Sequence, residues 1–474
     1  MNKILSAAVA VLLLLTLILS ACSRPQTQDP AETMEAIPIP PITVPDEPDD
    51  RTFTETAPYA ERLNSLFASN LTAPAADFTY ELADDGATIT AYTGGEVVVV
   101  IPDSVEDKPV VAIGEKAFAD KVGLKAISVP DTVKSIGTGA FAGCKSLTSL
   151  RTPVFTCEGA DYFGALFGAT SHEAQGSAVP VGLSTLVLTG GEAIPDYAFY
   201  ACRALEAVAI PETITEIGDF AFYGCEKLAY IPLGHTVLTA VGNHAFTNCA
   251  ALLGLDLPVT VESLGFAMLE GCGALESVVL PFVGGGRPGA VSESEADTTY
   301  LGYIFGAAEY VFTAGYLPAS LITVTLHEGC GDIPANAFFE CASLREIVLP
   351  EGVTSIGRRA FYGCEKLASV ILPDSVIALG DDAYHRCIRL EAFAGGASLA
   401  DIGVQVFMDC VSLKTVTLPE SVTHLPNATF AGCISLETLT ANGVKTQGKQ
   451  VFRHCEKLAG SEWMPYEAVP TETE

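Results

Sequence analysis

Positive charge is scarce in this chain: 25 Lys and Arg face 57 Asp and Glu, a formal net charge of −32 over 474 residues. No basic cluster offsets the excess, so nucleic acid, itself a polyanion, is repelled and is not an expected partner. Charge of either sign is thin as well, at 17% where about 25% is usual. Apolar residues make up 49%, so much of each structural unit has to be buried. Past the N-terminus no run approaches the ~18 consecutive apolar residues of a spanning helix.

Catalytic signatures are missing too. H-E-x-x-H, G-x-S-x-G and a Walker-type glycine loop do not occur. The seven histidines fall in unrelated positions, and His327 with Glu328 in LHEGC completes no metalloprotease helix. Asp84 with Asp85, and Asp381 with Asp382, lead into no D-x-D-x-D spacing, so they read as turn residues rather than calcium ligands. No enzyme, cofactor or metal site is expected.

What is present begins with MNKILSAAVAVLLLLTLILSAC: Lys3, an apolar run, then LSAC ending at Cys22. That is the pattern of a secretory leader. Leu19, Ser20, Ala21 and Cys22 resemble the lipobox of bacterial lipoproteins, which implies cleavage before Cys22 and lipid attachment to its thiol. Residues 23–57 are rich in Pro, Thr, Asp and Glu and poor in large apolar side chains, the composition of an extended spacer.

The rest repeats. In the phrase AFxxC the aromatic recurs at Phe118, Phe141, Phe199, Phe222, Phe246, Phe338, Phe361, Phe407, Phe430 and Phe452, with Leu269 and Tyr384 filling the slot twice, mostly 23 residues apart. Two longer gaps, from Phe141 to Phe199 and from Leu269 to Phe338, each hold one expanded unit, marked by YFGALFGA and YLGYIFGA. Within a unit, Leu367, Val370 and Leu372 follow an L-x-x-V-x-L strand pattern that Pro373 ends. Val376 and Leu379 turn back to the same interior, and Asp381 to Arg386 has room for a short helical turn that carries Tyr384 inward. One such unit buries one layer and cannot fold alone; stacked units bury a continuous core.

IGRRAFYGCEKLASVILPDSV and its copies resemble the 23-residue leucine-rich repeats of BspA-like bacterial surface proteins, over roughly Phe78 to Leu458. The resemblance implies a leucine-rich repeat solenoid with a concave parallel β-sheet, short turns and helical turns on the convex side. It also implies surface attachment or adhesion to other cells. The expected organisation is a leader at 1–21, a lipidated N-terminus and acidic, Pro-rich linker at 22–57, and a cap at 58–100, where FTYELADDGATITAY reads as a β-hairpin. The solenoid follows at 101–460, with expanded units at 153–188 and 281–326, and then a tail at 461–474 in which Trp463 lies over the last coil.

Eleven cysteines share one slot: Cys144, Cys202, Cys225, Cys249, Cys272, Cys341, Cys364, Cys387, Cys410, Cys433 and Cys455. A small buried wall is the favoured reading. Disulfides between neighbouring coils are the alternative, because the chain is expected to be exported and stacked Cα atoms lie about 5 Å apart. Parallel side chains and an odd number of thiols count against them, and a column one ligand deep suits no zinc site. Cys157 and Cys330 lie outside the column and are candidates for exposure.

For binding, the outward strand positions, such as Ser369 with Ile371 or Thr415 with Thr417, are small and uncharged and name no ligand. The expanded units are more distinctive, and Tyr162, Tyr300, Tyr303, Tyr310 and Tyr316 are the candidate contact residues, Tyr310 and Tyr316 being the ones expected to be exposed. Phe167 and Phe305 are expected in the core. The reading is a lipid-anchored cell-surface protein that recognises an extracellular protein or a glycan. The alternative is a structural envelope protein that stacks on copies of itself.

Overall fold

The computed structural model describes residues 72–287 and 298–458, all within one compact unit, Glu55–Glu474. The expected leader, the Cys22 lipid site, the linker and the tail with Trp463 lie outside the described residues. No helix among the described residues is long and apolar enough to cross a membrane.

Each regular coil gives one short strand to a first parallel sheet and a two-residue strand to a second. In the first sheet Ser369–Ile371, Ala392–Ala394, Thr415–Thr417 and Thr438–Thr440 pair in register, Ser369 opposite Ala392 and Ala392 opposite Thr415. Alternation sets the faces: Phe393 and Val416 turn inward while Thr415 and Thr417 stay exposed. Leu367, Leu372, Val376, Leu379 and Tyr384 are all buried, as the spacing anticipates. The ladder is interrupted twice, at the coil where Pro232 has no N–H and only the bridge from Ala207 to Tyr230 remains, and again between Glu346–Val348 and Ser369–Ile371. The second sheet runs through pairs such as Glu216–Ile217 beside Ala240–Val241 and Ser355–Ile356 beside Ala378–Leu379.

The arc that carries the aromatic is not helical in the regular coils. In each of the twelve coils the residues two before and two after the aromatic slot are left-handed, with φ from 52° to 79°. Most are not glycine: Tyr197, Phe220, His244 and Arg359 are among them. A left-handed L-residue costs roughly 1–2 kcal/mol, so something has to offset it. The offset is a third ladder. Alternating right- and left-handed residues aim every second N–H along the stack: Arg359, Phe361 and Gly363 donate to the carbonyls of Asp381, Ala383 and His385 in the next coil at 2.8–2.9 Å. A helical turn would spend those donors within its own coil and leave the neighbour's carbonyls bare.

Behind the arc, the aromatic rings stack from coil to coil. Phe199, Phe222 and Phe246 lie 5.0 and 5.3 Å apart with nearly parallel planes, and the run from Phe338 through Phe361, Tyr384, Phe407 and Phe430 to Phe452 has centroids 5.0–5.8 Å apart. At the N-terminal end the hairpin Phe78–Leu82 with Ala87–Tyr92 closes the column by setting Phe78 and Tyr92 on Phe118. The second hairpin strand also pairs in parallel with Lys108–Ile113, so the cap continues the second sheet.

The thirteen described cysteines are all free and buried. In nine of them the thiol donates to the carbonyl of the aromatic one coil earlier, Cys364 to Phe338 and Cys387 to Phe361 for example, at 3.0–3.3 Å. Cysteine suits the slot because it is small enough for the wall and still supplies a second donor to a carbonyl that already accepts the cysteine N–H of its own coil, as the Phe338 carbonyl does from Cys341. Cys341, just after the second expanded coil, has no aromatic in that position and reaches only the Phe339 carbonyl, at 3.9 Å. Cys157 and Cys330, expected as candidates for exposure, are buried at 7% and 4%, because each sits in a tight turn with its side chain packed into the same hydrophobic core.

Two substitutions in the ring column should move stability in opposite directions. Phe222→Ala empties a fully buried slot and is expected to cost about 3–5 kcal/mol. Tyr384→Phe removes a buried hydroxyl that has no hydrogen-bond partner and should raise stability by about 1 kcal/mol. Denaturant unfolding of both variants checks the pair.

Candidate functional site

The two expanded coils lengthen the arc without breaking the first sheet. Ser149–Thr152 pairs directly with Thr185–Leu188, so 36 residues (149 to 185) close one coil. Ser277–Leu280 pairs with Thr323–Leu326, a coil of 46 residues (277 to 323), of which 288–297 lie outside the described residues.

Each expanded arc opens on a 3-10 helix, Phe163–Phe167 or Leu301–Phe305, ended by a left-handed glycine, Gly168 (φ 86°) or Gly306 (φ 96°). Here the aromatics face inward, and Phe167 and Phe305 are core residues as expected. The tyrosine before each 3-10 helix reaches seven residues forward: Tyr162 donates to the Ala169 carbonyl at 3.3 Å and Tyr300 to the Ala307 carbonyl at 2.8 Å. Both clamp a turn, and Tyr300, only 4% exposed, is removed from solvent. Tyr303 is half-buried with its ring edge-on to Phe266, and Tyr310 is half-buried against Phe339. Tyr316 is 45% exposed.

A short α-helix follows in each arc, Gln175–Ala178 and Thr313–Tyr316. The two arcs align from their tyrosines onward, which puts Glu173, Ala174 and Ala178 of the first opposite Val311, Phe312 and Tyr316 of the second. The second arc therefore carries an exposed apolar knob, with Val311 at 40% and Phe312 at 54%, that the first does not have. The sequence reading missed Val311 and Phe312. Laying one expanded unit on the other was the signal that would have found them.

Also missed is a row of aromatics along the regular arcs. Tyr197, Phe220 and His244 occupy successive left-handed positions and stack at 5.1 and 4.9 Å, with His172 on Tyr197 at 4.3 Å. Tyr200 and Tyr223 stack beside them at 5.0 Å. Their faces cover one another, so they are not open platforms for a sugar ring.

On the first sheet the outward positions grade along the chain. Ala207 is buried, the pairs from Tyr230 to Val279 are half-buried, and those from Glu346 to Thr440, Ala392 excepted, are exposed, Ile371 at 74%. At its rim His327 and His235 meet the Leu257 and Ile210 carbonyls at 2.8 and 3.0 Å. Burial pushes the nearby Asp256 carboxyl above its usual value, against the pull of those two imidazoles. Among the described residues no three His, Cys, Asp or Glu side chains converge as a metal site.

The alignment of the two arcs also yields a test. Gln175, fully buried, accepts from the Gly164 N–H and donates to the Tyr197 carbonyl, both at 2.9 Å. Its counterpart Thr313 is equally buried, and its hydroxyl has no partner. Thr313→Gln should let the side chain reach Gly302 and the Asn336 carbonyl and raise stability by about 1 kcal/mol. A thermal unfolding comparison with the parent chain checks it.

The family model described as the BspA type leucine rich repeat region matches six copies, at residues 108–162, 191–283 and 331–459, and skips most of each expanded arc. No curated protein matches. Among solved structures, a leucine-rich repeat protein of Bacteroides ovatus is 22% identical, over 82% of this chain and 81% of that one, with a TM-score of 0.37. A leucine rich cell surface protein of Faecalibacterium prausnitzii is 24% identical, over 80% and 96%, with a TM-score of 0.33. The pneumococcal vaccine antigen PcpA is 18% identical, over 84% and 91%, at 0.29. Matched over more than half its length by that repeat model, and folded into the coils it describes, the chain belongs to the BspA type leucine-rich repeat family.

Proposed function

We propose that the protein is exported, anchored through lipid on Cys22, and uses its solenoid to bind an extracellular protein or a glycan, with adhesion as the outcome. A repeat solenoid of this family suits protein interaction, and a leader ending in LSAC supports the anchor. The observation that carries the reading is the second expanded arc, where Val311, Phe312 and Tyr316 stand exposed together on a segment that departs from the repeat. Exposed aromatics on an irregular segment held by a rigid scaffold are the side chains from which binding energy is usually drawn. Net charge of −32 sets copies of the chain against one another, which disfavours the self-stacking alternative.

Two measurements test this. Cys22→Ser in the full chain should abolish incorporation of labelled fatty acid and move the protein out of the membrane fraction. The region Ser23 to Glu474 should bind at least one member of an array of matrix proteins and bacterial glycans, and Phe312→Ala with Tyr316→Ala should weaken that binding at least tenfold. Binding that the double variant leaves unchanged would place the contact elsewhere on the solenoid. Silence across the array would overturn the adhesion reading.

A further inference from the structure

The thiol column has a chemical consequence that ligand recognition does not use. Its eleven cysteines, Cys144 through Cys455, are at most 3% exposed, and nine direct their S–H to a carbonyl of the coil before. Burial pushes these thiols up, Cys144 and Cys455 to about 11, Cys225 and Cys272 to about 12. A rise from 9 to about 11 lowers the thiolate fraction at neutral pH roughly a hundredfold, and thiolate is the form oxidants attack.

Geometry separates the folded column from disulfide chemistry. Strands in register hold neighbouring coils about 4.8 Å apart, so parallel side chains keep successive Cβ atoms near that spacing, beyond the roughly 3.5–4.5 Å that a disulfide spans. Drawing two sulfurs together would also take both S–H donors from their carbonyls. In the unfolded chain none of this holds. The thiols are exposed, keep their ordinary acidity, and sit on flexible segments of about two dozen residues that loop easily.

We propose that the column makes folding conditional on redox state: the chain closes into coils only from reduced thiols, and once closed it shields them. With a peroxide as oxidant, two thiols give up two hydrogens, one S–S bond forms, the O–O bond breaks and two waters leave. A disulfide made this way before folding ties together two sulfurs that the coils must hold parallel. The arcs that carry them cannot then take their places in the stack. The chain has to fold faster than it is oxidised, or fold where no such oxidant acts.

The test treats the full chain with hydrogen peroxide in two states. Applied to the folded protein, with free thiols then counted by alkylation and mass spectrometry, peroxide should consume column thiols at least tenfold more slowly than it consumes N-acetylcysteine. Applied in guanidinium chloride before dilution, it should leave a chain without the native circular dichroism until dithiothreitol is added, while the reduced chain refolds. If the reduced chain does not refold on dilution, cell-free synthesis with and without the same peroxide supplies the comparison. Slowing of less than tenfold in the folded protein, or a disulfide-bearing chain that regains the native spectrum, would overturn the proposal.

Discussion

Everything in this fold depends on repeating one register: each coil must offer its neighbour the same donors and acceptors at the same heights. Three ladders meet that demand, two of β-strands and one formed by the arc itself. The arc ladder is the unusual one, because it needs two left-handed residues in every regular coil and places Tyr, Phe, His and Arg there as well as Gly. A strained conformation of that kind persists when its surroundings over-determine it. Here the surroundings are the coils on either side, so the strain is bearable only in a stack. That is a local reason why a single repeat has no independent existence, in addition to its lack of a closed core.

The same register explains the repeated phrase. The aromatic fills the space behind the arc and lies on its counterparts in adjoining coils, and the cysteine three residues later donates its thiol to the carbonyl of the aromatic one coil earlier. That carbonyl already accepts one backbone N–H, and the thiol adds a second hydrogen bond between coils that alanine could not make. The expanded coils respect the sheet register and abandon only the arc, where they substitute helical turns pinned by Tyr162, Tyr300 and Gln175. Rigid scaffold and variable segment are thus separated within one coil. Fold alone does not name a ligand.

Much of this was legible in the sequence and some of it was not, for physical reasons. Leu367, Val376 and Tyr384 announced their burial because side-chain alternation and the 23-residue period both depend on apolarity, which sequence displays directly. The left-handed arc was hidden: Tyr197, Phe220 and His244 are poor formers of that conformation, and only the coil-to-coil ladder selects it. Cys157 and Cys330 looked exposed because they lie off the column, yet both pack into the hydrophobic core. Of the candidate tyrosines, Tyr162 and Tyr300 hold turns, while Phe312, which no motif marked, stands in solvent. Periodicity reports what repeats. A residue whose role rests on departing from the repeat is visible only when the two departures are compared with each other.

If the coils are closed by thiols donating to the carbonyls of the preceding arc, the S–H stretch of the native protein reports it directly. Raman spectroscopy of the folded chain should show a strong S–H band shifted to lower frequency than that of a thiol in an apolar solvent, and the band should move when the chain unfolds into water under reducing conditions. A native protein whose S–H band is absent, or lies at the unbonded position, would contradict the bonding of nine coils to the coil before through their cysteines.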